Sequence, residues 1–227
     1  MKNPSILFED NHLLAINKPF GMPSQKDQSG DLCVADWAEN YLRKTYNKPG
    51  NVYVGLLHRI DRPVGGILIL AKTSKAAARM SKMFQNKEIH KNYWAITERI
   101  PDPLEGELEH YLRKIGGKNI MRAFKKEVAH SKKSTLSYKT LTTLDDKALL
   151  EVVPKTGRRH QIRVQLSTIG CTIKGDVKYG KTSFNKDKSI CLLAKSITFI
   201  HPIKKESMTI GTPTPTTGLW AKIPDTI

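Results

Sequence analysis

The feature that most constrains the fold is Ile67–Ala71, a run of five apolar residues directly after Gly65 and Gly66. No apolar run in the chain approaches the roughly 20 residues that a membrane-spanning helix needs. Because the run does not alternate with polar residues, it is typical of a strand buried on both faces. It therefore predicts a buried strand inside a globular fold.

Short apolar segments elsewhere predict further strands. Ile6–Glu9 and Leu13–Ile16 flank Asp10–His12 and have the pattern of a β-hairpin. The two prolines and the glycine of Asn17–Pro23 break that pattern, so this segment is predicted to be a shaped loop. Other strands are predicted at 56–60, 91–96, 135–141, 149–153 and 196–200, and an extended segment at 212–217.

Three helices are predicted from capping residues and helical spacing. The second starts after Thr73 or Ser74, and the third runs from about His160 to Ile169 and is capped by Gly170. The first is capped by Asp31 and runs to about Tyr46, with one apolar face formed by Leu32, Ala35, Ala38 and Leu42. Since these helices mix with many strands without a regular βαβ order, the predicted class is α+β with a mainly antiparallel sheet.

Charge indicates the class of partner. The chain of 227 residues has 38 Lys and Arg against 21 Asp and Glu, a net charge of +17. Binding to a polyanion would relieve the resulting self-repulsion, so nucleic acid is the favoured partner. A basic protein that is merely soluble remains an alternative. A membrane partner is not favoured, because no basic amphipathic helix with an aromatic face stands out.

The termini and the metal-binding residue types indicate where and how the chain acts. Met1–Pro4 lacks the apolar stretch of a signal peptide, which predicts a cytoplasmic protein. Cys33, Cys171 and Cys191 are far apart and are expected to be buried thiols. The histidines are scattered, and none pairs with another at metal-ligand spacing. We therefore expect no metal and no cofactor.

The segment from Arg113 to Lys133 is the most basic part of the chain. Eight of its residues are Lys or Arg, only Glu127 is acidic, and Gly116–Gly117 interrupts regular structure. Two interpretations stay open: a solvated hairpin or loop, and an arm that contacts RNA.

Three segments have residues suited to catalysis. In the first, Asp61 lies between Arg59 and Arg62 in a turn that precedes the buried strand, and nearby guanidiniums hold a carboxylate ionised. By itself this pattern is more typical of a surface salt bridge. The turn would lift Asp61 off the sheet to where a substrate can reach it.

The second segment surrounds a glycine turn and a helix start. It contains Lys155, Arg158, Arg159, His160 and Arg163, which suits phosphate binding, although a solvated basic turn has the same composition.

The third segment is Lys91–Ile96, where strand alternation places Tyr93 on the face opposite Asn92 and Trp94. A tyrosine ring can stack on a base, and its hydroxyl can help to move a proton. A half-buried strand tyrosine is the simpler interpretation of this segment alone.

Together these segments resemble one known family. The chain contains Asn-Lys-Pro-x-Gly, His-Arg-Ile-Asp-Arg followed by Gly-Gly-Ile-Leu-Ile-Leu-Ala-Lys-Thr, Lys-x-Tyr-x-Ala, Thr-Gly-Arg-x-His-Gln-Ile-Arg and Gly-Asp-x-x-Tyr-Gly, in that order. This order is similar to that of the RluA family of pseudouridine synthases, from Leu13 to about Pro202. The resemblance implies a mainly antiparallel sheet built from two similar halves, with a catalytic cleft across its middle.

The resemblance also implies roles for individual residues. Asp61 matches the nucleophile, Tyr93 the tyrosine that stacks on the target uracil, and Arg163 the arginine that pairs with the nucleophile. Arg59 matches the position that helps to fill the space left by the flipped nucleotide. The residues expected to bind RNA are Lys18, Arg59, Arg62, Arg158, Arg159 and His160.

The chain departs from the family pattern in several places. Gly65 replaces a serine that is common in the family, which we expect to change turn flexibility with the nucleophile intact. Met22–Pro23 is not followed by the usual Val-His pair, and Leu193 stands where a histidine is usual. No separate RNA-binding domain of the S4 type is expected, so the chain is predicted to be one catalytic domain, acting as a monomer.

The predicted activity is a cofactor-free isomerisation of uridine in ribosomal or transfer RNA. A non-catalytic RNA-binding or ribosome-assembly protein on the same scaffold is the alternative. The Asp61, Tyr93 and Arg163 set argues against it, since a pure binder needs no ionised carboxylate facing an anionic ligand. A nuclease would need clustered carboxylates for metal ions, and the sequence has none.

Overall fold

The computed structural model describes residues 3–116, 119–180, 185, 187–224 and 227. In chain order the elements are β1 (Ser5–Glu9), β2 (Leu13–Lys18), α1 (Val34–Thr45), β3 (Gly55–Leu56), β4 (Gly65–Ala71), α2 (Ser74–Gln85), β5 (His90–Thr97), β6 (Glu105–Ile115), β7 (Ile120–Phe124), β8 (Lys132–Leu144), β9 (Lys147–Pro154), α3 (Gln161–Thr168), β10 (Leu192–Ile200), β11 (Ser207–Gly211) and a 3-10 helix, Gly218–Lys222. The chain divides into two compact units, Met1–His90 with Ala194–Thr212, and Lys91–Leu193 with Pro213–Ile227.

The first unit is organised around the apolar run. Its strands follow the order β1-β2-β4-β10-β11, and β3 also pairs with β4. All seven residues of β4 are buried, which confirms the buried strand predicted from Ile67–Ala71. One side of β4 packs against α2 in a core formed by Leu13, Ala15, Ile67, Ile69, Ala71, Ala76, Met80, Ile89, Ile197, Phe199 and Ile210.

The predicted capping residue is confirmed for one of the two helices of this unit and wrong for the other. At the start of α2, Thr73 Oγ1 accepts a hydrogen bond from Ala76 N–H at 3.2 Å, as predicted. The predicted cap of α1 is wrong: the helix starts after Cys33, and the Asp31 carboxylate instead forms an ion pair with Arg62. The start of the helix therefore shifts, and Leu32, predicted to lie on the apolar face, is 45% exposed.

The strand predicted at 56–60 is shorter in the structure, where only Gly55 and Leu56 pair with β4. After Leu56 the chain is held by a side chain from outside the sheet. Ser24 Oγ donates to Ile60 O at 2.8 Å and accepts from Ile60 N–H at 3.4 Å. Since these bonds occupy the Ile60 backbone, the segment leaves the sheet before it reaches the turn. The predicted loop at 17–23 also starts later, because Asn17 and Lys18 belong to β2.

Gly66 is a position where only glycine fits. Its φ is +108°, and a Cβ there would lie 2.3 Å from the Ala194 carbonyl oxygen and 2.7 Å from the Ala194 nitrogen. At Gly65 a Cβ would lie 2.8 Å from the Phe20 ring. The glycine that we expected to change turn flexibility thus lies inside β4, where it allows close packing against Phe20.

Replacing Gly66 with Ala is expected to destabilise the fold by about 3 kcal/mol or more, since both the backbone angle and the contact with Ala194 oppose a side chain. Gly170→Ala is the matched control. Gly170 also has a positive φ, +76°, but a Cβ there would meet nothing within 4 Å. This control should lose only about 1 kcal/mol. Urea unfolding of both variants measures the difference, and similar losses would show that the Ala194 contact adds nothing.

The second unit is an antiparallel sheet with the order β5-β9-β8-β6-β7 and helix α3. Gln165 ties α3 to this sheet, because its Nε2 donates to Leu108 O at 3.0 Å and to Ser134 O at 3.2 Å. The helix ends as predicted: Gly170 has a positive φ and its N–H donates to Ser167 O, while Cys171 N–H donates to Leu166 O. The α+β class with antiparallel pairing is confirmed.

The basic segment 113–133 forms the end of β6, all of β7 and the start of β8, and β6 and β7 pair as a hairpin. Whether this hairpin contacts RNA stays open. Gly117 and Lys118 lie outside the described residues. All three cysteines are buried, as expected. In the part of the chain that the structure describes, no helix is long and apolar enough to cross a membrane.

Candidate active site

Asp61 occupies a tight turn in the first unit. Val64 N–H donates to Asp61 O at 3.0 Å, which closes the turn predicted around Arg62 and Pro63. Ile60 and Val64 on either side are buried, whereas Asp61 is only half-buried. The turn therefore anchors its apolar ends in the core and leaves the carboxylate residue within reach of a ligand.

The buried side chain of Lys18 holds this turn in place. Its side chain is fully buried, and its Nζ donates to Met22 O at 2.7 Å, Pro19 O at 3.0 Å and Arg62 O at 3.3 Å. These bonds tie the loop after β2 to the turn that holds Asp61. Lys18 was expected to bind RNA, but a buried ammonium bonded to three carbonyl groups has a different role, so it leaves the set of proposed RNA contacts.

The environment of Lys18 changes its protonation. Burial lowers the pKa of Lys18 from 10.5 to about 7; the nearby Asp61 carboxylate opposes this change and the Arg62 guanidinium adds to it. Lys18 and Asp61 are thus electrostatically coupled within the first unit.

The lowered pKa of Lys18 predicts a stability that rises with pH. Between the folded pKa of about 7 and the unfolded value of 10.5, the unfolded chain binds the extra proton. The free energy of unfolding should therefore rise by roughly 1 kcal/mol per pH unit from this group over that range, and this gain is lost progressively as the pH falls from 10.5 to about 7. Urea unfolding at pH 7 and pH 9 should show a rise in wild type that is smaller in Lys18→Met. Parallel changes in the two proteins would contradict the assignment.

Arg62 holds the loop between β2 and α1 in place. Its Nε donates to Gly21 O at 2.9 Å and its Nη1 to Ser29 Oγ at 2.9 Å. Its guanidinium also forms ion pairs with Asp31 and, at 3.5 Å, with Asp27. These contacts hold the guanidinium against the loop, but the Arg62 side chain is still 39% exposed, so its expected contact with RNA stays a prediction.

Arg59 and His58 precede the turn and differ in environment. Arg59 is exposed, and its Nη1 donates to Gln25 Oε1 at 3.0 Å, so it remains available as an RNA contact. The His58 ring packs against Phe84 with centroids 5.1 Å apart, and its Nε2 accepts from Ile69 N–H at 3.1 Å. His58 therefore fixes the approach to the turn against β4, a role that the sequence did not reveal.

Arg163 lies in the second unit, on α3, and its side chain is only 5% exposed. Its Nε donates to Asp176 Oδ2 at 2.7 Å and its Nη2 to Asp176 Oδ1 at 2.8 Å, a two-bond pairing that fixes the guanidinium plane. Asp176 is itself only 1% exposed. The sequence placed Asp176 in a motif but gave it no role, because its partner is 13 residues away.

Tyr179 joins Arg163 to two other parts of this unit. Its ring centroid lies 5.3 Å from the Arg163 guanidinium carbon. Its hydroxyl oxygen accepts from Met121 N–H at 2.9 Å and lies 2.7 Å from His160 Nδ1. His160, expected to bind RNA, is buried and serves this network.

The turn before α3 keeps two arginines at the surface. Gln161 Oε1 accepts from Thr156 Oγ1 at 2.7 Å and from Arg158 N–H at 3.0 Å, which shapes the turn. Arg158 and Arg159 are exposed. Both therefore remain candidates for phosphate contacts.

Tyr93 lies on β5 opposite Val152, and Trp94 lies opposite Glu151. Asn92 Nδ2 donates to Glu151 Oε1 at 2.6 Å, so Asn92 and Trp94 share a face and Tyr93 lies on the other, as the alternation predicted. Tyr93 is half-buried. Near it, burial lowers the pKa of Lys91, whose Nζ lies beside Gly157 in the turn before α3.

Comparison with known proteins identifies the family. Residues 12–168 match the sequence model of the RNA pseudouridylate synthase family. The chain belongs to this family. The resemblance found in the motifs is thereby confirmed, and the matched region contains Asp61, Tyr93 and Arg163, whereas Asp176 and Tyr179 lie beyond it.

Individual pseudouridylate synthases are similar over most of this chain. Ribosomal large subunit pseudouridine synthase C of Buchnera aphidicola is 32% identical over 92% of this chain and 66% of that protein. Ribosomal large subunit pseudouridine synthase D of Zymomonas mobilis is 32% identical over 87% of this chain and 65% of that protein. The chain thus spans about two thirds of the length of these relatives.

A solved structure confirms the fold. Human RNA pseudouridylate synthase domain containing 4 has a TM-score of 0.76 and 26% identity, and the match covers 92% of this chain and 88% of that chain.

Proposed function

We propose that this protein isomerises uridine to pseudouridine in structured RNA, with Asp61 as the nucleophile. The observation that carries the proposal is the turn at Asp61, which Lys18 and Ser24 fix to the core while Asp61 itself stays half-exposed. Such a preorganised carboxylate suits covalent or acid–base chemistry on a bound ligand.

The reaction requires the target nucleotide to leave the RNA stack. Its N1–C1′ bond breaks, the uracil turns, and a C5–C1′ bond forms, while C5 loses a proton and N1 gains one. Eversion costs a few kcal/mol, which phosphate contacts and stacking on Tyr93 would offset. Asp61 would attack the sugar or the base, or remove a sugar proton.

We propose that Arg163 keeps the Asp61 carboxylate ionised and oriented. The bidentate bond with Asp176 and the contact with the Tyr179 ring support this role, since both restrict the guanidinium. A fixed cation stabilises a developing or resident negative charge without reorganisation during the reaction.

For the RNA itself we propose contacts from Arg59, Arg158 and Arg159, all of which are exposed. The relatives named above are synthases of the ribosomal large subunit, so large-subunit ribosomal RNA is the substrate that we propose first, with transfer RNA as the alternative. We further propose that the chain acts in the cytoplasm as a monomer and as a single catalytic domain, without a cofactor or an obligate protein partner.

The experiment that tests the proposal is a pseudouridine map of cellular RNA. Deleting the gene should remove pseudouridine at one or a few defined positions of ribosomal or transfer RNA, and the wild-type gene should restore it. An unchanged map together with a defect in ribosome assembly would favour the non-catalytic alternative.

A further inference from the structure

The hairpin of β6 and β7 places two arginines directly opposite each other. The register pairs Arg113 with Arg122, next to the pairs Leu112–Ala123 and Tyr111–Phe124. Like charges in directly opposed positions destabilise a sheet. Among the residues that the structure describes, neither guanidinium forms an ion pair with a carboxylate. The hairpin therefore carries a repulsion that no carboxylate among the described residues relieves.

Phe124 gathers the two guanidiniums on one face. The guanidinium carbons of Arg113 and Arg122 lie 5.0 Å and 5.4 Å from the Phe124 ring centroid. Arg113 Nη1 also donates to Ala129 O at 3.5 Å. Because neighbouring residues of a strand point to opposite faces, Leu112, which is 2% exposed, marks the core side. We call the outer surface of Arg113, Arg122 and Phe124 the guanidinium face.

The hairpin is fixed to the body of its unit. Met121 N–H donates to the Tyr179 hydroxyl at 2.9 Å, and Lys178 Nζ donates to Asn119 O at 2.9 Å. These bonds hold Asn119 and, in β7, Met121. The two arginines are therefore presented by a docked element, which lowers the entropy cost of binding a ligand.

The charges around the guanidinium face are mainly positive. Lys125 and Lys126 follow directly after Phe124 and are exposed. The nearby acidic Glu109 is paired with Lys133 at 2.9 Å. Glu127 is the acidic residue of the following loop, and it is also exposed. An anionic ligand thus meets an excess of cations here.

We propose that the guanidinium face binds the phosphodiester backbone of the RNA substrate, with one phosphate bridging Arg113 and Arg122. Guanidinium groups match phosphate oxygens with two parallel hydrogen bonds each, which lysines cannot do. A bridging phosphate also replaces the repulsion between the two arginines with attraction. This inference rests on the proposed RNA substrate and adds a contact site on an element separate from Asp61.

The test is the double variant Arg113→Gln/Arg122→Gln, bound to a transcript of large-subunit ribosomal RNA over a range of salt concentrations. The Kd should rise at least about tenfold, and the slope of log Kd against log salt should fall by about 1 to 2. The melting temperature without RNA should stay the same or rise, because the repulsion is gone. Phe124→Leu should raise the Kd by only about threefold, since the arginines remain but lose their support.

The matched control is Lys75→Gln/Lys82→Gln, which removes the same charge from exposed positions of α2. An equal loss of RNA affinity in this control would show that net charge alone matters and would overturn the inference. Unchanged RNA affinity in the arginine variant, with lost binding to polyglutamate, would assign the face to an acidic protein instead. If wild type neither binds nor modifies RNA, the proposed function fails. If wild type does both, and the arginine variant has the same RNA affinity as the control variant, this inference alone fails.

Discussion

Replacing Asp61 with Asn is expected to reduce uridine isomerisation by at least about 10³-fold while RNA affinity stays within about twofold of wild type. The amide has nearly the same shape, and the turn is closed by the main-chain oxygen of Asp61, which the substitution keeps. However, a neutral amide is neither a nucleophile nor a base. Loss of a negative charge would, if anything, strengthen binding to RNA.

Tritium release from RNA that contains [5-³H]uridine measures the activity of Asp61→Asn, and filter binding measures the affinity. Asp145→Asn is a suitable control, because Asp145 lies exposed in the β8–β9 turn with a φ of 56° that asparagine tolerates. This control should keep full activity. Activity of Asp61→Asn near that of wild type would eliminate Asp61 as the nucleophile.

Replacing Arg163 with Lys is expected to lower activity by about 100-fold and RNA affinity by less than about threefold. Lysine keeps the charge but cannot form both bonds to Asp176, so the cation loses its fixed orientation. Lysine is the better test than alanine, because Arg163→Ala would leave the buried Asp176 carboxylate unpaired, which costs about 3 to 5 kcal/mol of stability.

Arg163 has a second possible role as a simple phosphate contact, and the two roles predict different data. A phosphate contact would lose affinity and activity together and would lower the salt dependence of binding. Single-turnover tritium release at saturating enzyme separates the chemical step from binding. Equal losses in both measurements would contradict the orienting role. Urea unfolding of the same variant shows whether the fold is preserved.

Local sequence signals predicted the elements whose causes are local. The apolar run at Ile67–Ala71 became β4, Thr73 caps α2, and Gly170 ends α3 with the left-handed geometry that glycine permits. For the two helix ends the deciding contact is within a few residues, and for β4 the unbroken apolar run requires burial whichever strands come to pair with it. The chemistry of those residues therefore determines the outcome before the chain folds.

Predictions were wrong for residues whose partners are distant in sequence. A lysine beside a loop is a residue type that often contacts phosphate, but Lys18 is bonded to three carbonyl groups, and one of them, Arg62 O, is 44 residues away. Asp31 is a good helix cap in isolation, yet Arg62, brought near by the turn, binds its carboxylate. The predicted RNA contact of His160 fails because its ring is buried and bonded to Tyr179, a contact that depends on how the loop after α3 returns to the helix.

The candidate site could be proposed from sequence motifs, whereas the residues that support it could not. Asp61, Tyr93 and Arg163 could be proposed because each lies in a recognisable motif, and their roles stay predictions. Asp176 and Tyr179 were visible only as a pattern, since their contacts with Arg163 join residues 13 or more positions apart and such contacts have no local signature.

The measurement that tests the central claim most directly is nucleoside analysis of RNA after incubation with the purified protein. Ribosomal RNA transcribed without modification would be incubated with the protein and a metal chelator, digested, and separated by liquid chromatography with mass detection. The account predicts pseudouridine, identical in mass to uridine but with a different retention time, in more than one mole per mole of protein. RNA that binds the protein and yet contains only uridine would contradict it.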